Sequence, residues 1–184
     1  SGGNSFEIAK KIGKIKVTPK HLKAFLGFVF NSKGKKIDKV MYLFFKGPNS
    51  YTGENVVEIS CHGNQVIVEQ IIERAVSFGA TLPKPGEFTK RSFLNGKISL
   101  SQAESVGLLI SSKSKEAAKI NLENSEGLLS KNIELIKGGL IEILGSLEFD
   151  LDISEDEEPN QTLIAEIHKS IKNNYIKISS ILSS

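Results

Sequence analysis

The sequence has 184 residues, enough for one large domain or two small ones, and its 39% hydrophobic and 24% charged residues are typical of a globular protein. A net charge of +3 is too small to indicate nucleic-acid binding by itself. The single cysteine excludes a disulfide within the chain, no apolar run approaches the roughly 20 residues of a membrane span, and Ser1 to Ile12 lacks the apolar core of a signal peptide. We therefore expect a protein of the reducing cytoplasm.

The first half of the chain mixes helix and strand signals. The segment from Asn4 to Gly13 predicts a short helix with Ser5 as its N-cap. Three runs rich in aromatic and β-branched residues predict strands. They are 23–31, 38–47 and 55–60, and the polar stretch 31–36 predicts a turn between the first two.

A helix and an irregular segment are predicted next. Ile67, Ile71 and Ala75 recur at helical spacing within 64–80, and Gly79 is a plausible C-cap. The following stretch, 81–91, contains two prolines that break any regular element.

From about Ser99 the apolar residues recur every three or four positions, which predicts helices packed against helices. Ser101 and Glu104 have the spacing of a capping box that opens a helical stretch. A long helix is predicted by an apolar stripe of Leu129, Ile133, Ile136, Leu140, Ile143, Leu147 and Leu151. After the acidic, proline-containing break at 154–160, Ile164, Ile167, Ile171 and Ile178 resume the pattern.

These patterns predict an α+β fold in two domains. A mixed sheet with its helices occupies residues 1–96, and an antiparallel helical bundle segment occupies 97–184.

Cys61 and His62 directly follow the third predicted strand. The other histidines lie far away in sequence and there is no second cysteine, so metal-ligand spacing is absent. Cys61 is either a small buried hydrophobe, which the position favours, or a thiol activated at a helix N-terminus. His62 and Gly63 either approach an anion or simply form the turn.

Glu58 is the sharpest anomaly, because it interrupts an apolar strand. Alternation places it on the same face as Val56 and opposite Val57 and Ile59. It is either a solvated surface carboxylate or a pocket residue that accepts two hydrogen bonds from a planar ligand with adjacent N–H donors.

Cationic and acidic groups elsewhere give weaker signals. Lys90, Arg91 and Lys97 either meet an anion or are solvated, and no G-x-x-x-x-G-K-[ST] phosphate loop occurs in the chain. The acidic run at 154–158 is typical of a solvated helix connection.

Two long stretches carry a resemblance to a known family. They are GPNSYTGENVVEISCHGN at 47–64 and PGEFTKRSFLNGKISLSQAE at 85–104. Together with the helical continuation, they resemble the tRNA-modifying GTPase MnmE family, also called TrmE. The chain departs from the family in LSQAE, where LAQAE is usual, and in SEDEE, which lacks the usual Phe-Pro.

The resemblance implies the domain organisation of the whole protein. The family has a folate-binding N-terminal domain, similar to that of aminomethyltransferases, and a helical domain into which a GTPase domain is inserted. Residues 1–96 would be the tetrahydrofolate-binding and dimerisation domain, with its first strand outside the chain. Residues 97–184 would be the first part of the helical domain, which ends near the GTPase insertion and explains the missing phosphate loop.

The resemblance also implies site residues. Glu58 and Lys97 match two of the family's folate contacts, and a third contact, an arginine, would precede Ser1. Cys61 does not match the family's catalytic-type cysteine. The resemblance therefore implies no catalytic residue and no metal ligand within this chain.

Cofactors and partners follow from the same resemblance. The family uses 5-formyl- or 5,10-methylene-tetrahydrofolate as a one-carbon donor, and GTP, Mg²⁺ and K⁺ in the GTPase domain. It forms a homodimer and works with the flavin-dependent MnmG (GidA) subunit on tRNA, to install a carboxymethylaminomethyl-type group at C5 of the wobble uridine. We expect no membrane partner and no GTP hydrolysis by this chain alone. The alternative, a non-catalytic interaction domain with no ligand, stays open.

Overall fold

The computed structural model describes residues 1–16, 20–153 and 161–183, without the side chains of 151–153 and 183. The chain divides into two compact units, Ser1–Ser111 and Ser112–Ser184. Within the described ranges, no helix is both long enough and apolar enough to cross a membrane.

The first unit is built around a three-stranded sheet with four helices. The strands are β1 (Ala24–Phe30), β2 (Lys36–Phe45) and β3 (Val56–Ser60), in the order β1-β2-β3. The helices are α1 (Ser5–Gly13), α2 (Gln65–Val76), α3 (Glu87–Leu94) and α4 (Leu100–Ser111). The predicted α+β class is confirmed.

Both strand pairings in the described sheet are antiparallel, whereas a mixed sheet was expected. The connections explain the difference. A parallel pairing needs a crossover of about a dozen residues or more, usually a helix, and the links 31–35 and 46–55 are shorter than that and contain none. The strands therefore fold back on one another, and β3 lies at one edge of the sheet.

One face of the sheet forms the core of this unit. Val40, Tyr42 and Phe44 of β2 are at most 1% exposed, and they pack with Ala9 and Ile12 of α1. Burial raises the pKa of Tyr42 to about 12. The residues that alternate with these three on β2 point to the opposite, open face of the sheet.

Several predicted element boundaries are wrong. Asn4, not Ser5, is the N-cap of α1, and the Ser5 hydroxyl instead donates to the Asn55 carbonyl oxygen at 2.7 Å. The cap of α4 lies two residues before the predicted capping box at Ser101 and Glu104: Gln102 N donates to Ser99 Oγ at 3.3 Å, and Ser99 N donates to Gln102 Oε1 at 3.0 Å.

The observed end of α2 and the observed start of α3 also differ from the predicted ones. The C-cap of α2 is Ser77, and Gly79 follows it with a φ of 96°. Helix α3 begins at Glu87, inside the segment expected to be irregular. Pro83 and Pro85 precede the helix and so do not interrupt its hydrogen bonds.

The second unit contains the helices α5 (Lys115–Ser125), α6 (Leu128–Ile153) and α7 (Gln161–Ser183). The long helix predicted by the apolar stripe is confirmed as α6, which packs on α7. The helical stretch predicted after Ser99 is divided between α4 and α5. The predicted acidic connection at 154–158 lies outside the described residues.

The apolar stripe of α6 is only partly buried. Ile136 is 9% exposed, whereas Ile133 and Leu140 are each 49% exposed. The prediction that this stripe packs against other helices therefore holds at Ile136 and is not met at its neighbours within the described part of the unit.

Candidate functional site

The link 46–55 between β2 and β3 has a fixed internal structure. Gly47 N donates to Asn55 Oδ1 at 3.0 Å, and Ser50 Oγ donates to the Glu54 carbonyl oxygen at 2.6 Å. A Cβ at Gly47 would lie 2.8 Å from the Gly53 carbonyl oxygen, so only glycine fits there. These contacts close residues 47–55 into one loop, called here the 47–55 loop.

Helix α3 and the turn after it hold the 47–55 loop from one side. Ser92 is fully buried and donates through its hydroxyl to the Tyr51 carbonyl oxygen at 2.7 Å. Asn95 Nδ2 donates to the Thr52 carbonyl oxygen at 2.6 Å, and the Thr52 side chain is fully buried. Two loop carbonyl groups are thereby satisfied, and the loop is tied to the segment that carries Lys97.

Arg91 joins the same two elements by charge. Its guanidinium donates to Glu54 Oε2 at 3.2 Å and to Glu87 Oε1 at 2.8 Å. The hydrogen bond from the Ser1 hydroxyl, and then Arg91, hold the pKa of Glu54 below its usual 4.5. Arg91 also lowers the pKa of Glu87. Arg91 is thus paired with two carboxylates of its own unit.

Glu58 lies on the open face of the sheet, directly opposite Leu43 of β2. Val57 and Ile59 point to the other face and pack against the core. Glu58 is exposed, and its carboxylate makes no hydrogen bond or ion pair within the described residues. Its acceptor oxygens are therefore available to a ligand on the open face.

Lys97 lies in the turn after α3 and is exposed. A Cβ placed on Gly53 would lie 3.3 Å from Lys97 Cγ, so the lysine stem packs on the 47–55 loop, which leads directly into β3. In the part of the chain that the structure describes, no hydrogen bond or ion pair joins Lys97 to Glu58. Lys97 thus lies against Gly53 of the loop, and Glu58 lies five positions beyond Gly53, in β3.

A cavity of about 350 Å³ lies on the opposite side of the sheet from Glu58. Val57 and Ile59 form part of its wall together with Ile8 and Ile12 of α1, and Arg91 lies among its lining residues. Because strand residues alternate faces, the Glu58 side chain does not reach this cavity.

Comparison with known proteins identifies the family. The family model described as "GTP-binding protein TrmE N-terminus" matches residues 1–97, and the one described as "MnmE helical domain" matches residues 100–184. The chain belongs to the MnmE (TrmE) family. The predicted resemblance is confirmed over nearly the whole sequence.

Individual MnmE relatives agree with this assignment. The chain is 41% identical over 162 residues to the tRNA modification GTPase MnmE of Aquifex aeolicus, which covers 88% of the chain and 36% of that protein. It is 42% identical to the Wolinella succinogenes protein of the same name over 161 residues, 87% of the chain and 35% of the relative. The MnmE of Pseudothermotoga lettingae matches at 36% identity over 99% of the chain and 40% of its own length. The chain thus spans well under half the length of these MnmE relatives.

Cys61 and His62, which directly follow β3, both contact other residues of the first unit. Cys61 is partly buried against the core, which agrees with the hydrophobe interpretation. His62 Nδ1 lies 2.7 Å from Asp38 Oδ1, and its backbone N–H donates to Asp38 Oδ2 at 2.9 Å. That backbone hydrogen bond is the main reason why the pKa of Asp38 lies below its usual range. Asn64 caps α2 by accepting from Val66 N and Ile67 N, so the turn is fixed without an anion.

Sequence reasoning missed the pairs that hold the MnmE-type loop. Arg91 and Glu54 are 37 positions apart, and Asn95 and Thr52 are 43 apart, so no local pattern connects them. The spacing of Glu87 and Arg91, four residues apart, is the one signal that could have indicated a helix there. Among the described residues, no cluster of three or more His, Cys, Asp or Glu could hold a metal ion.

Proposed function

We propose that this chain is the folate-binding and helical portion of a tRNA-modifying GTPase. Residues 1–96 bind a tetrahydrofolate one-carbon donor and dimerise, and residues 97–184 form the first part of the helical domain. The observation that carries the proposal is the Glu58 carboxylate on the open sheet face. It has no partner among the described residues, and its strand follows the braced loop that supports Lys97.

The chemistry of Glu58 fits a pterin. A pterin ring presents a ring N–H beside an exocyclic amine, and one carboxylate accepts both in plane. Glu58 has no partner in the described part of the chain that would compete, and Leu43 opposite it supplies an apolar surface for the ring. The bound folate would supply the one-carbon unit, either as the 5-formyl or the 5,10-methylene derivative.

Lys97 supplies the cationic contact. Its stem is held against Gly53, so less side-chain entropy remains to be lost when its ammonium group meets a carbonyl or carboxylate of the folate. The hydrogen bonds from Ser92 and Asn95 keep the segment before Lys97 in register with the 47–55 loop.

The activity of the whole protein is part of the proposal. The MnmE names of the relatives support GTP hydrolysis and tRNA modification. We place GTP, Mg²⁺ and K⁺ in a GTPase domain outside this chain, and the C5 position of the wobble uridine as the site modified together with a flavin-dependent MnmG (GidA) subunit in the cytoplasm.

Dimerisation is supported by exposed apolar residues on the open face. Leu26 is 68% exposed and Met41 is 44% exposed, although both lie in strands. Apolar side chains of this size on a sheet face are typical of an interface. Leu26 is in β1 and Glu58 in β3, at opposite edges of the sheet. A partner over β1 and a folate over β2 and β3 can therefore share the face, with Met41 between them in contact with both.

A second candidate function is a non-catalytic interaction domain without a ligand, and the same exposed apolar residues favour it. Calorimetric titration of the purified chain with 5-formyltetrahydrofolate separates the two. Saturable binding at one site per chain supports the folate proposal, and the absence of heat together with unchanged fluorescence would leave the interaction domain.

A further inference from the structure

The open face of the sheet continues beyond Glu58 toward a pair of lysines. Lys39 lies four positions from Leu43 along β2 and on the same face, so its side chain starts roughly 14 Å from Glu58, at about 3.4 Å per strand residue. Lys36 Nζ lies 3.9 Å from the centre of the Phe28 ring, and Phe28 pairs directly with Lys39. The Lys36 ammonium therefore lies over Phe28, the cross-strand neighbour of Lys39, near one end of the face. The Glu58 carboxylate lies four strand positions from Lys39, and the Phe45–Val56 pair lies beyond it on the same face.

The surface between Glu58 and these lysines is mostly apolar. Leu43 and Met41 of β2 lie on it, with Ser60 of β3 beside Met41. In outline, the face offers a carboxylate, then an apolar strip, then a cationic end.

The positive charge of Lys39 is not cancelled by its neighbour Asp38. Asp38 pairs with Val29, which is fully buried, so it belongs to the opposite face of the sheet. Its carboxylate oxygens accept from His62 and from the Lys39 backbone N–H. Of the residues in the three strands, Asp38 and Glu58 are the acidic ones, and so Glu58 is the sole acidic strand residue on the open face.

We infer that Lys39 and Lys36 bind the carboxylates of the glutamate tail of the folate whose pterin ring is held by Glu58. The assignment rests on the proposed function. A folate has three parts in a fixed order: a hydrogen-bond-donating pterin, a flat benzoyl ring and a dianionic glutamate. Its extended length is comparable with the separation of Glu58 and Lys39, and each part meets its chemical complement along the face.

The direction in which the tail runs decides between the lysines of β2 and Lys97 as its partner. Lys97 lies beside the loop that enters β3, at the other end of the strand from the Lys39 side. A tail that ran toward Lys97 would cover only the Phe45–Val56 pair and would leave the longer apolar strip of Leu43 and Met41 uncovered. Lys97 therefore contacts the pterin end, and the strip guides the benzoyl ring toward Lys39.

A comparison of two ligands measures how much the glutamate tail contributes to binding. One is 5-formyltetrahydrofolate, and the other is the primary amide of 5-formyltetrahydropteroate, which keeps the pterin and benzoyl ring but carries no carboxylate. We expect the parent chain to bind the folate more tightly by roughly fivefold, which is the scale of two exposed ion pairs. This preference should shrink at high salt, because the pairs are solvent-screened.

Lysine-to-alanine variants then identify the residues that bind the tail. Lys36→Ala with Lys39→Ala should bring folate affinity down to that of the amide and leave the amide unaffected. Lys84→Ala with Lys90→Ala removes the same charge from exposed positions outside the sheet and should keep the preference. Lys97→Ala should weaken both ligands alike.

Several results would overturn the assignment. A double Lys36 and Lys39 variant that keeps the preference refutes it, and so does a Lys97 variant that loses the preference. If that double variant keeps the preference but retains less tRNA on a filter, the lysines serve RNA phosphates instead. If the parent binds the folate and the amide equally well, the tail site alone is refuted. If the parent binds neither ligand, the proposed function is refuted as well.

Discussion

The guanidinium of Arg91 donates to the Glu54 carboxylate across 3.2 Å and thereby joins α3 to the loop that precedes β3. Arg91→Ala removes this contact and the one to Glu87. Because Arg91 is about one third exposed, we expect a loss of roughly 1 kcal/mol in the free energy of unfolding. Urea unfolding followed by circular dichroism measures it, and Lys90→Ala, a loss of the neighbouring exposed charge, should have little effect.

The same contacts predict a pH dependence. The pKa values of Glu54 and Glu87 lie below 4.5 in the folded chain. A carboxyl group whose pKa is lower in the folded chain than in the unfolded chain stabilises the fold. Its contribution is complete at pH values above the unfolded pKa and is lost as the pH falls through the folded pKa. The stability gap between the parent and Arg91→Ala should therefore be constant near neutral pH and close below pH 4.5. A gap that widens in acid would contradict the assignment of these carboxylates.

We predict that the purified chain hydrolyses no GTP. The sequence contains no G-x-x-x-x-G-K-[ST], so the β- and γ-phosphates have no backbone cradle of that kind. Phosphate release is measured across a gel-filtration peak. Turnover that follows the protein concentration through the peak would refute the prediction, whereas turnover displaced from the peak belongs to a contaminating GTPase.

Two adjacent glycines of α6 should respond differently to alanine. A Cβ at Gly138 meets nothing within 4 Å, so Gly138→Ala should stabilise the second unit by up to about 1 kcal/mol through helix propensity. A Cβ at Gly139 would lie 2.9 Å from Nδ2 of Asn174, whose side chain is buried on α7. Gly139→Ala should therefore lower the melting temperature relative to Gly138→Ala, and Asn174→Ala should remove most of that difference. Equal melting temperatures for the two glycine variants would show that Asn174 moves freely.

The sequence predicted those features that depend on the periodicity of a single strand or helix. Strand alternation placed Glu58 opposite Val57 and Ile59, and the apolar stripe predicted the long helix α6. Both inferences rest on a local period, which the backbone geometry imposes directly. The position of Cys61 against the core follows from the same alternation.

The remaining features depend on contacts between distant residues. Helix α3 is held against the 47–55 loop because Ser92 and Asn95 donate to the carbonyl oxygens of Tyr51 and Thr52, some forty positions away. Ser5 was expected to cap α1, but the carbonyl oxygen of Asn55 takes its hydroxyl. Propensity and spacing carry no information on such pairs, so the bracing of the 47–55 loop could not be predicted from the sequence.

Dimerisation should depend on the open face of the sheet. Leu26→Asp places a charge on an apolar side chain that is 68% exposed in β1, so burial against a second copy would then require desolvation of a carboxylate. We expect the mass in light scattering at tens of micromolar to fall from dimer to monomer. Leu82→Asp is the matched control, because Leu82 is 71% exposed in the loop before α3. A parent chain that is already monomeric would refute the dimer.

Glu58→Ala should strongly weaken folate binding while the fold persists. The side chain is exposed and points away from the core face, so its removal opens no cavity there and should change stability by less than about 1 kcal/mol. The ligand would lose two charge-assisted hydrogen bonds, roughly 3 kcal/mol or about a hundredfold in affinity. Calorimetric titration with 5-formyltetrahydrofolate measures the loss. Glu73→Ala, which removes an exposed carboxylate from α2, should bind like the parent.

Glu58→Gln tests the two-acceptor geometry itself. Glutamine keeps the shape of the side chain but offers one acceptor oxygen, and its amide N–H₂ would face a donor of the pterin. A donor that faces a donor leaves both groups desolvated without a partner, so the glutamine variant should bind nearly as poorly as the alanine variant. If instead Glu58→Gln binds folate like the parent while Glu58→Ala does not, Glu58 lies in the pocket but accepts one hydrogen bond only, and the in-plane recognition of a pterin by its carboxylate is wrong.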